Sequence, residues 1–162
     1  MKTDKTFLAE SKSILHTKGY NKEFYPLEEL ARSVKYNQEN TMRKIRVYKW
    51  SGFFLLTAIP LISAFLSVAI KADELSSVIF PLSLILTLMT VLNAIFRPGE
   101  RFQHVCLIGI KIDSFKTYFL TELMILEPIN DSALATFINK KRKEFESHQK
   151  ELIGLFMPVE KK

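Results

Sequence analysis

The sequence predicts an all-α chain, a two-transmembrane helical hairpin with amphipathic cytosolic helices before and after it. Three observations lead there. Trp50 to Ile70 and Val78 to Phe96 are apolar runs without an Asp, Glu, Lys, Arg or His, and at ~1.5 Å per residue each makes roughly 30 Å of helix, the depth of one hydrocarbon core. Outside these runs the apolar residues return every three or four positions, the period of helices that bury one face. Lys and Arg crowd the outer ends of both runs, whereas the segment joining them carries only Lys71. A buried helix of a soluble protein is the alternative, and it would ordinarily be shorter or show a polar side.

The organisation expected is 1–49 for the amino-terminal cytosolic helices, 50–96 for the hairpin (spans 50–70 and 78–96, outer loop 71–77) and 97–162 for the carboxyl-terminal cytosolic helices. Asp4 can cap a first helix whose stripe is Phe7, Leu8, Ser11, Ile14 and Leu15, with Gly19 as its stop. A second helix can begin at Pro26, whose fixed φ suits a first turn, with Glu28 and Glu29 favourable near the positive end of the helix dipole. Its stripe is Leu27, Leu30, Ala31 and Val34. From Lys35 to Lys49 the pattern weakens without a Gly or Pro, so a rod continuous with the first span and a break near Asn37 to Asn40 both remain open.

Beyond the second span, Arg97-Pro98-Gly99 should end or kink the helix, because the residue before proline avoids the α region and glycine is permissive. A new helix is expected from near Glu100, with Phe102, Val105, Gly109, Ile112, Phe119, Leu123 and Leu126 on its buried face and Pro128 as its stop. Asn130 or Asp131 can cap a last helix with the stripe Leu134, Phe137, Ile138, Phe145 and Leu152. Lys140 to Lys143 are read as a solvated face of that helix.

Charge sets the expected orientation. Lys35, Arg43, Lys44, Arg46 and Lys49 precede the first span, and Arg97, Arg101, Lys111 and Lys116 follow the second. The positive-inside rule then places both termini in the cytoplasm of a multi-pass protein and the Lys71 to Ser77 turn outside, with Tyr48 and Trp50 at the inner interface. The net charge of +6 comes from residues that flank the spans or alternate with acids. This pattern favours anionic lipid headgroups over direct nucleic-acid binding.

Catalysis is not expected. His16, His104 and His148 fall on different predicted helices, Cys106 is the only cysteine and has no base in view, and no metal-ligand spacing or phosphate-binding loop is present. No cofactor is implied.

The polar and small residues inside the spans are the candidate site. Ser83, Thr87, Thr90 and Ala94 fall within about 60° of one another on a helix turning 100° per residue, and Asn93, offset by about 80° from Ser83, should find an interhelical partner rather than face lipid. Two readings stand: the hydroxyls bond to their own helix and let another helix approach closely, or the stripe lines a water-filled lumen. Gly52, Ser63 and Ser67 share a face of the first span with Pro60 close by, suited to close packing or to a hinge. Two helices cannot enclose a lumen, so lining one requires a homo-oligomer in the lipid bilayer. Its charged mouths would be Lys71, Asp73 and Glu74 outside and Arg97 and Arg101 inside.

From about Lys35 to Glu127, and especially in Arg97-Pro-Gly-Glu-Arg-Phe-Gln-His104 and in Tyr118 to Glu122, the chain resembles the SLATT family, the SMODS- and SLOG-associating two-transmembrane effectors of bacterial conflict systems. The resemblance implies an inner-membrane effector of antiphage defence and abortive infection. Such an effector would permeabilise the membrane when triggered by a partner sensor, a nucleotide signal or a reverse-transcriptase element. It supplies no catalytic residues for this sequence. A membrane-anchored adaptor that recruits a soluble partner through its cytosolic helices explains the long flanks equally well.

Overall fold

The computed structural model describes residues 4–70, 76–127 and 129–154, and every regular element among them is a helix. They are α1 (Asp4–Thr17), α2 (Tyr25–Ala69), α3 (Ser76–Phe96), α4 (Pro98–Ile125) and α5 (Asp131–Gly154). The chain forms two compact units. The first combines Met1–Asn40 with Ile108–Lys162, and the second is Thr41–Leu107.

The first unit is organised by the periodic stripes. Phe7 and Leu15 of α1, Leu27, Leu30, Ala31 and Val34 of α2, Ile112, Phe115, Phe119 and Leu123 of α4, and Leu134, Phe137, Ile138 and Phe145 of α5 form one buried cluster. Phe119 is its hub, fully buried, with ring centroids 5.2 Å from both Phe7 and Phe137. Phe115 lies 4.8 Å from Phe145. Rings at these separations add to the stabilisation that burial alone provides. Phe115 is absent from the predicted stripe of α4, although it sits three residues after Ile112 and four before Phe119, the spacing that joins them on one face.

Local chemistry fixes three helix ends of this unit. After α1, Gly19 takes φ 81°, its N–H donates to the His16 carbonyl at 3.0 Å, and the Tyr20 N–H reaches the Leu15 carbonyl at 2.9 Å. This is the paired closure that a left-handed residue makes possible, and glycine adopts that conformation without a Cβ clash. Asn130, rather than Asp131, caps α5: its Oδ1 accepts from the Ala133 N–H at 2.7 Å. Pro128, the expected stop of the preceding helix, lies outside the described residues. Lys18 donates to the Leu126 carbonyl at 2.9 Å, placing a cation just past the negative end of α4.

Two expected boundaries move, and of the two alternatives left open for α2 the continuous rod is the one that forms. α2 begins one residue before Pro26 and continues through Asn37 to Asn40 without a break, since nothing there removes a donor or forbids helical φ. α4 begins at Pro98 rather than near Glu100, because proline is well suited to a first helical position. The interruption before it falls on Arg97, which takes φ 40°. Gly99 carries no positive φ, so the proline alone, by disfavouring the α region at its predecessor, makes the break.

The second unit contains the rest of α2, all of α3 and the first turns of α4. Two helices are long and apolar enough to cross a membrane. Only 17% of the most apolar window in α2 is buried, and none of the corresponding window in Ser77–Ile125. Trp50, Phe53, Leu56, Phe80, Leu84, Leu88 and Ile95 all stand exposed. Pro60 lies inside α2, where it has no N–H to offer the carbonyl one turn back.

Candidate functional site

The hydroxyl stripe of α3 forms as a continuous line, and each hydroxyl turns its proton back into the helix. Ser83 Oγ donates to the Phe80 carbonyl at 2.8 Å, Thr87 Oγ1 to Ser83 at 2.8 Å, and Thr90 Oγ1 to Leu86 at 2.8 Å. Thr57 and Ser67 of α2 do the same, to Phe53 and Ser63, both at 2.9 Å. A hydroxyl whose proton is engaged this way presents only its oxygen outward, and so leaves no unsatisfied donor in an apolar medium. Thr87, Thr90, Asn93 and Ala94 are exposed and Ser83 is half-buried. Within one chain, this face is open.

On α2, Gly52 is buried, and a Cβ built there would lie 3.8 Å from the Cβ of Pro98. Gly52 thus faces the α3–α4 junction at a separation where a Cβ would make ordinary van der Waals contact. Ser63 is half-buried, while Pro60 and Ser67 are exposed, so the expected shared face of Gly52, Ser63 and Ser67 is unevenly covered.

Of the charged mouths, Lys71, Asp73 and Glu74 lie outside the described residues. Arg97 is exposed, with its Nε 3.4 Å from the Ala94 carbonyl and its Nη1 3.4 Å from Glu100 Oε2. Arg101 carries its guanidinium 5.9 Å from the centroid of the Phe96 ring, a cation–π arrangement at the foot of α3. The three histidines remain on separate helices, and no three His, Cys, Asp or Glu side chains among the described residues gather as a metal site.

The first unit holds the charge chemistry that the periodic reading missed. Lys141 is not on a solvated face. Its side chain is 4% exposed and donates to Glu122 at 2.6 Å and to Glu144 at 2.8 Å. Burial pulls its pKa down, and the hydrogen bonds and charges of the two carboxylates outweigh that pull, leaving the ammonium above its ordinary 10.5. The signal was present in the spacing: Leu134, Ile138, Lys141 and Phe145 recur at four, three and four, so Lys141 occupies a core position of α5.

Further ion pairs tie the elements together. Arg142 makes a two-pronged contact with Glu29 at 3.1 and 3.3 Å, and Lys12 meets Glu28 at 2.6 Å. Lys22 meets Asp131 at 3.2 Å, and this hydrogen bond, with one from Tyr20, holds the Asp131 carboxyl below its ordinary 3.8. Lys116 donates to the Gln38 side-chain carbonyl. Exposed pairs of this kind add little stability singly, but they fix which helix neighbours which.

Comparison with family models, with curated proteins and with solved structures finds no match to this chain.

Proposed function

We propose that this chain is a multi-pass protein of the bacterial inner membrane. On this reading α2 and α3 cross the bilayer as a hairpin with both termini in the cytoplasm. Its copies associate into a pore or membrane-disrupting oligomer when a partner sensor triggers them, as an effector of antiphage defence. The observation that carries the membrane reading is the bareness of the apolar windows, 17% and 0% buried. The core helix of a soluble protein is mostly covered by its own chain, and a large contiguous apolar exposure calls for lipid or protein to cover it. Basic residues at the inner ends of the spans support the orientation.

Support for association comes from the open hydroxyl stripe of α3. Small and hydroxylic side chains let helix backbones approach closely in lipid, where apolar packing alone does not distinguish a neighbouring helix from a lipid tail. The stretch from Arg97 to His104, in its likeness to the SLATT family, supports the defence role and a sensor held in another protein.

The test is membrane potential in bacteria expressing the full chain together with its genomic neighbours, read with a voltage-sensitive dye after phage challenge. Collapse of the potential is expected, and the double change Thr87→Leu and Thr90→Leu should reduce it while membrane insertion persists. A potential that stays intact after proven triggering rejects the leak. Leakage unchanged in the double variant removes the lining role from the stripe.

A membrane-anchored adaptor is the second reading, favoured by the densely packed first unit, whose ion pairs and aromatic core resemble a domain built to present a surface. Exchanging the hairpin for an unrelated two-span anchor separates the two, since recruitment survives that exchange and permeabilisation does not.

A further inference from the structure

We infer that the outward face of α4 in the first unit is a two-fold interface with a second copy of this chain, the two α4 helices running antiparallel with Tyr118 beside the axis. The inference rests on the association proposed above and adds to it a contact outside the spans.

The face stands apart within its own unit. Among the described residues of that unit, Tyr25, Tyr36, Ile110, Tyr118, Met124 and Ile125 are the exposed large apolar side chains, and the last four all lie on α4. Ile110, Ser114, Tyr118, Thr121 and Ile125 are exposed and fall within about 80° of one another on a helix turning 100° per residue. The buried stripe of the same helix, Ile112, Phe115, Phe119 and Leu123, occupies the other side. α4 thus serves its own core with one face and carries a second apolar face away from it. Thr117 and Thr121 donate their hydroxyl protons to the carbonyls of Asp113 and Thr117 at 3.1 and 2.9 Å, so covering them strands no donor.

The order of residues selects a second copy as the occupant. Read from either end, the stripe runs isoleucine, hydroxyl, tyrosine, hydroxyl, isoleucine at 110, 114, 118, 121 and 125. A contact between identical surfaces must be complementary to itself after a half-turn, and this order is. Antiparallel pairing sets Ile110 on Ile125 of the second copy, Ser114 on Thr121, and Tyr118 on Thr117. Short side chains alternate with the large ones, so the two backbones can approach.

Charge agrees with this register. Lys111 and Glu122 border the stripe on the same flank, and equal flanks face each other in an antiparallel pair. Each Lys111 then lies within about 3 Å, measured along the helix, of the level of the other copy's Glu122. Glu122 gives Oε1 to Lys141 and is 46% exposed, which leaves Oε2 to accept from the second copy. The four apolar side chains are 58–73% exposed, and covering them with the hydroxyls between them on both copies removes on the order of 1,000 Å² from water, the size of a specific transient interface.

Cross-linking of the full chain in membranes with a short bismaleimide tests the register, in a Cys106→Ser background. Thr117→Cys should cross-link to its own copy. Ile110→Cys alone and Ile125→Cys alone should give at least about fivefold less dimer, because the pairing holds each some 22 Å from its counterpart. Copies carrying Ile110→Cys mixed with copies carrying Ile125→Cys should recover the yield. Tyr118→Asp should remove most of the Thr117→Cys product, and Lys111→Glu should lower it about threefold. Equal yields from all three single positions overturn the antiparallel register. No product at any of them, while Thr87→Cys in α3 does cross-link, overturns the α4 interface and leaves association through the spans standing. No product at Thr87→Cys either overturns both. Protection of Ile110→Cys and Thr117→Cys from a water-soluble maleimide, without cross-linking, assigns the face to lipid or to a different protein and overturns the second copy.

Discussion

Phe119 and Phe80 carry the same ring to opposite fates, the first wholly buried and the second 77% exposed. Phe119 belongs to a unit in which four helical segments turn their stripes inward and leave Lys12, Lys22, Arg142 and their carboxylate partners outside. Phe80 belongs to a unit whose largest apolar side chains face away from the protein and whose hydroxyls satisfy themselves within their own helices. In the first, water drives apolar groups together, and the interior is the only apolar place available. In the second, that pressure has left no interior of comparable size. Burial inside the fold is thus a statement about the solvent as much as about the residue, and the bare apolar faces of the second unit are the ones that the proposed bilayer would cover.

The sharpest break in this contrast is Phe119→Ala. Removing a central ring from a packed core should destabilise the first unit by about 3–5 kcal/mol. Hydrogen exchange on the full chain in detergent micelles should speed up in α1, α4 and α5 and stay unchanged from Trp50 to Ala69. Equal acceleration in both regions would mean that they do not unfold independently.

Leu88→Arg probes the other side. Leu88 is exposed at the middle of α3, a place where water would tolerate an arginine within about 0.5 kcal/mol. A bilayer centre charges about 2.5–3.5 kcal/mol for it. Recovery of the protein in carbonate-washed membranes should drop accordingly, and full recovery would remove lipid from around α3.

Lys141 tests whether the first unit follows aqueous rules throughout. Changing Glu122 and Glu144 together to Gln leaves a buried ammonium without counter-charge and should destabilise by about 1–3 kcal/mol. Lys141→Met should stay within about 1 kcal/mol, because the orphaned carboxylates are nearly half exposed and can be hydrated. The ammonium is held above 10.5 in the fold, so its contribution is complete below that pH and fades as pH rises through the raised value. Tyr20, raised above 10.0 by burial and by its hydrogen bond to Asp131, fades in the same direction. Melting temperature should therefore fall on the alkaline side, and less steeply in Lys141→Met. A slope identical to that of the wild type would detach Lys141 from it.

The smallest effect is expected at the junction. A left-handed conformation at a non-glycine residue costs roughly 1–2 kcal/mol, and glycine's extra freedom when unfolded returns up to about 1 of it. Arg97→Gly should then stabilise the second unit by about 0.5–1 kcal/mol in thermal denaturation. Destabilisation would show that the contacts of the arginine outweigh its backbone strain.

Most of the stripe residues were legible because each helix repeats its facing every 3.6 residues whatever surrounds it. Leu27, Leu30, Ala31 and Val34 are named by spacing alone and are all buried. Phe115 and Lys141 escaped the same rule for different reasons. Phe115 stands among Asp113, Ser114, Lys116 and Thr117, whose polarity masks an inward position, and Lys141 carries a charge that points to water although its position points inward. The candidate residues of α3 were legible as a line, since one helix fixes their relative angles. What meets that line was not, because it is decided by a surface outside the segment.

The order of polar and apolar residues along the chain therefore determined the helices, their inward faces, the two long apolar runs and the placing of basic residues at their ends. These are local properties, set by backbone geometry and by side-chain chemistry within a few turns. Only the tertiary structure decided that Asn130 rather than Asp131 caps α5, that Arg97 rather than Gly99 takes the left-handed turn, that Gly52 meets Pro98, and that two glutamates from different helices hold Lys141. Each of those outcomes is a competition between partners distant in sequence or nearly equal in local preference. Such a competition is settled by which groups the packed helices bring within hydrogen-bonding or van der Waals reach.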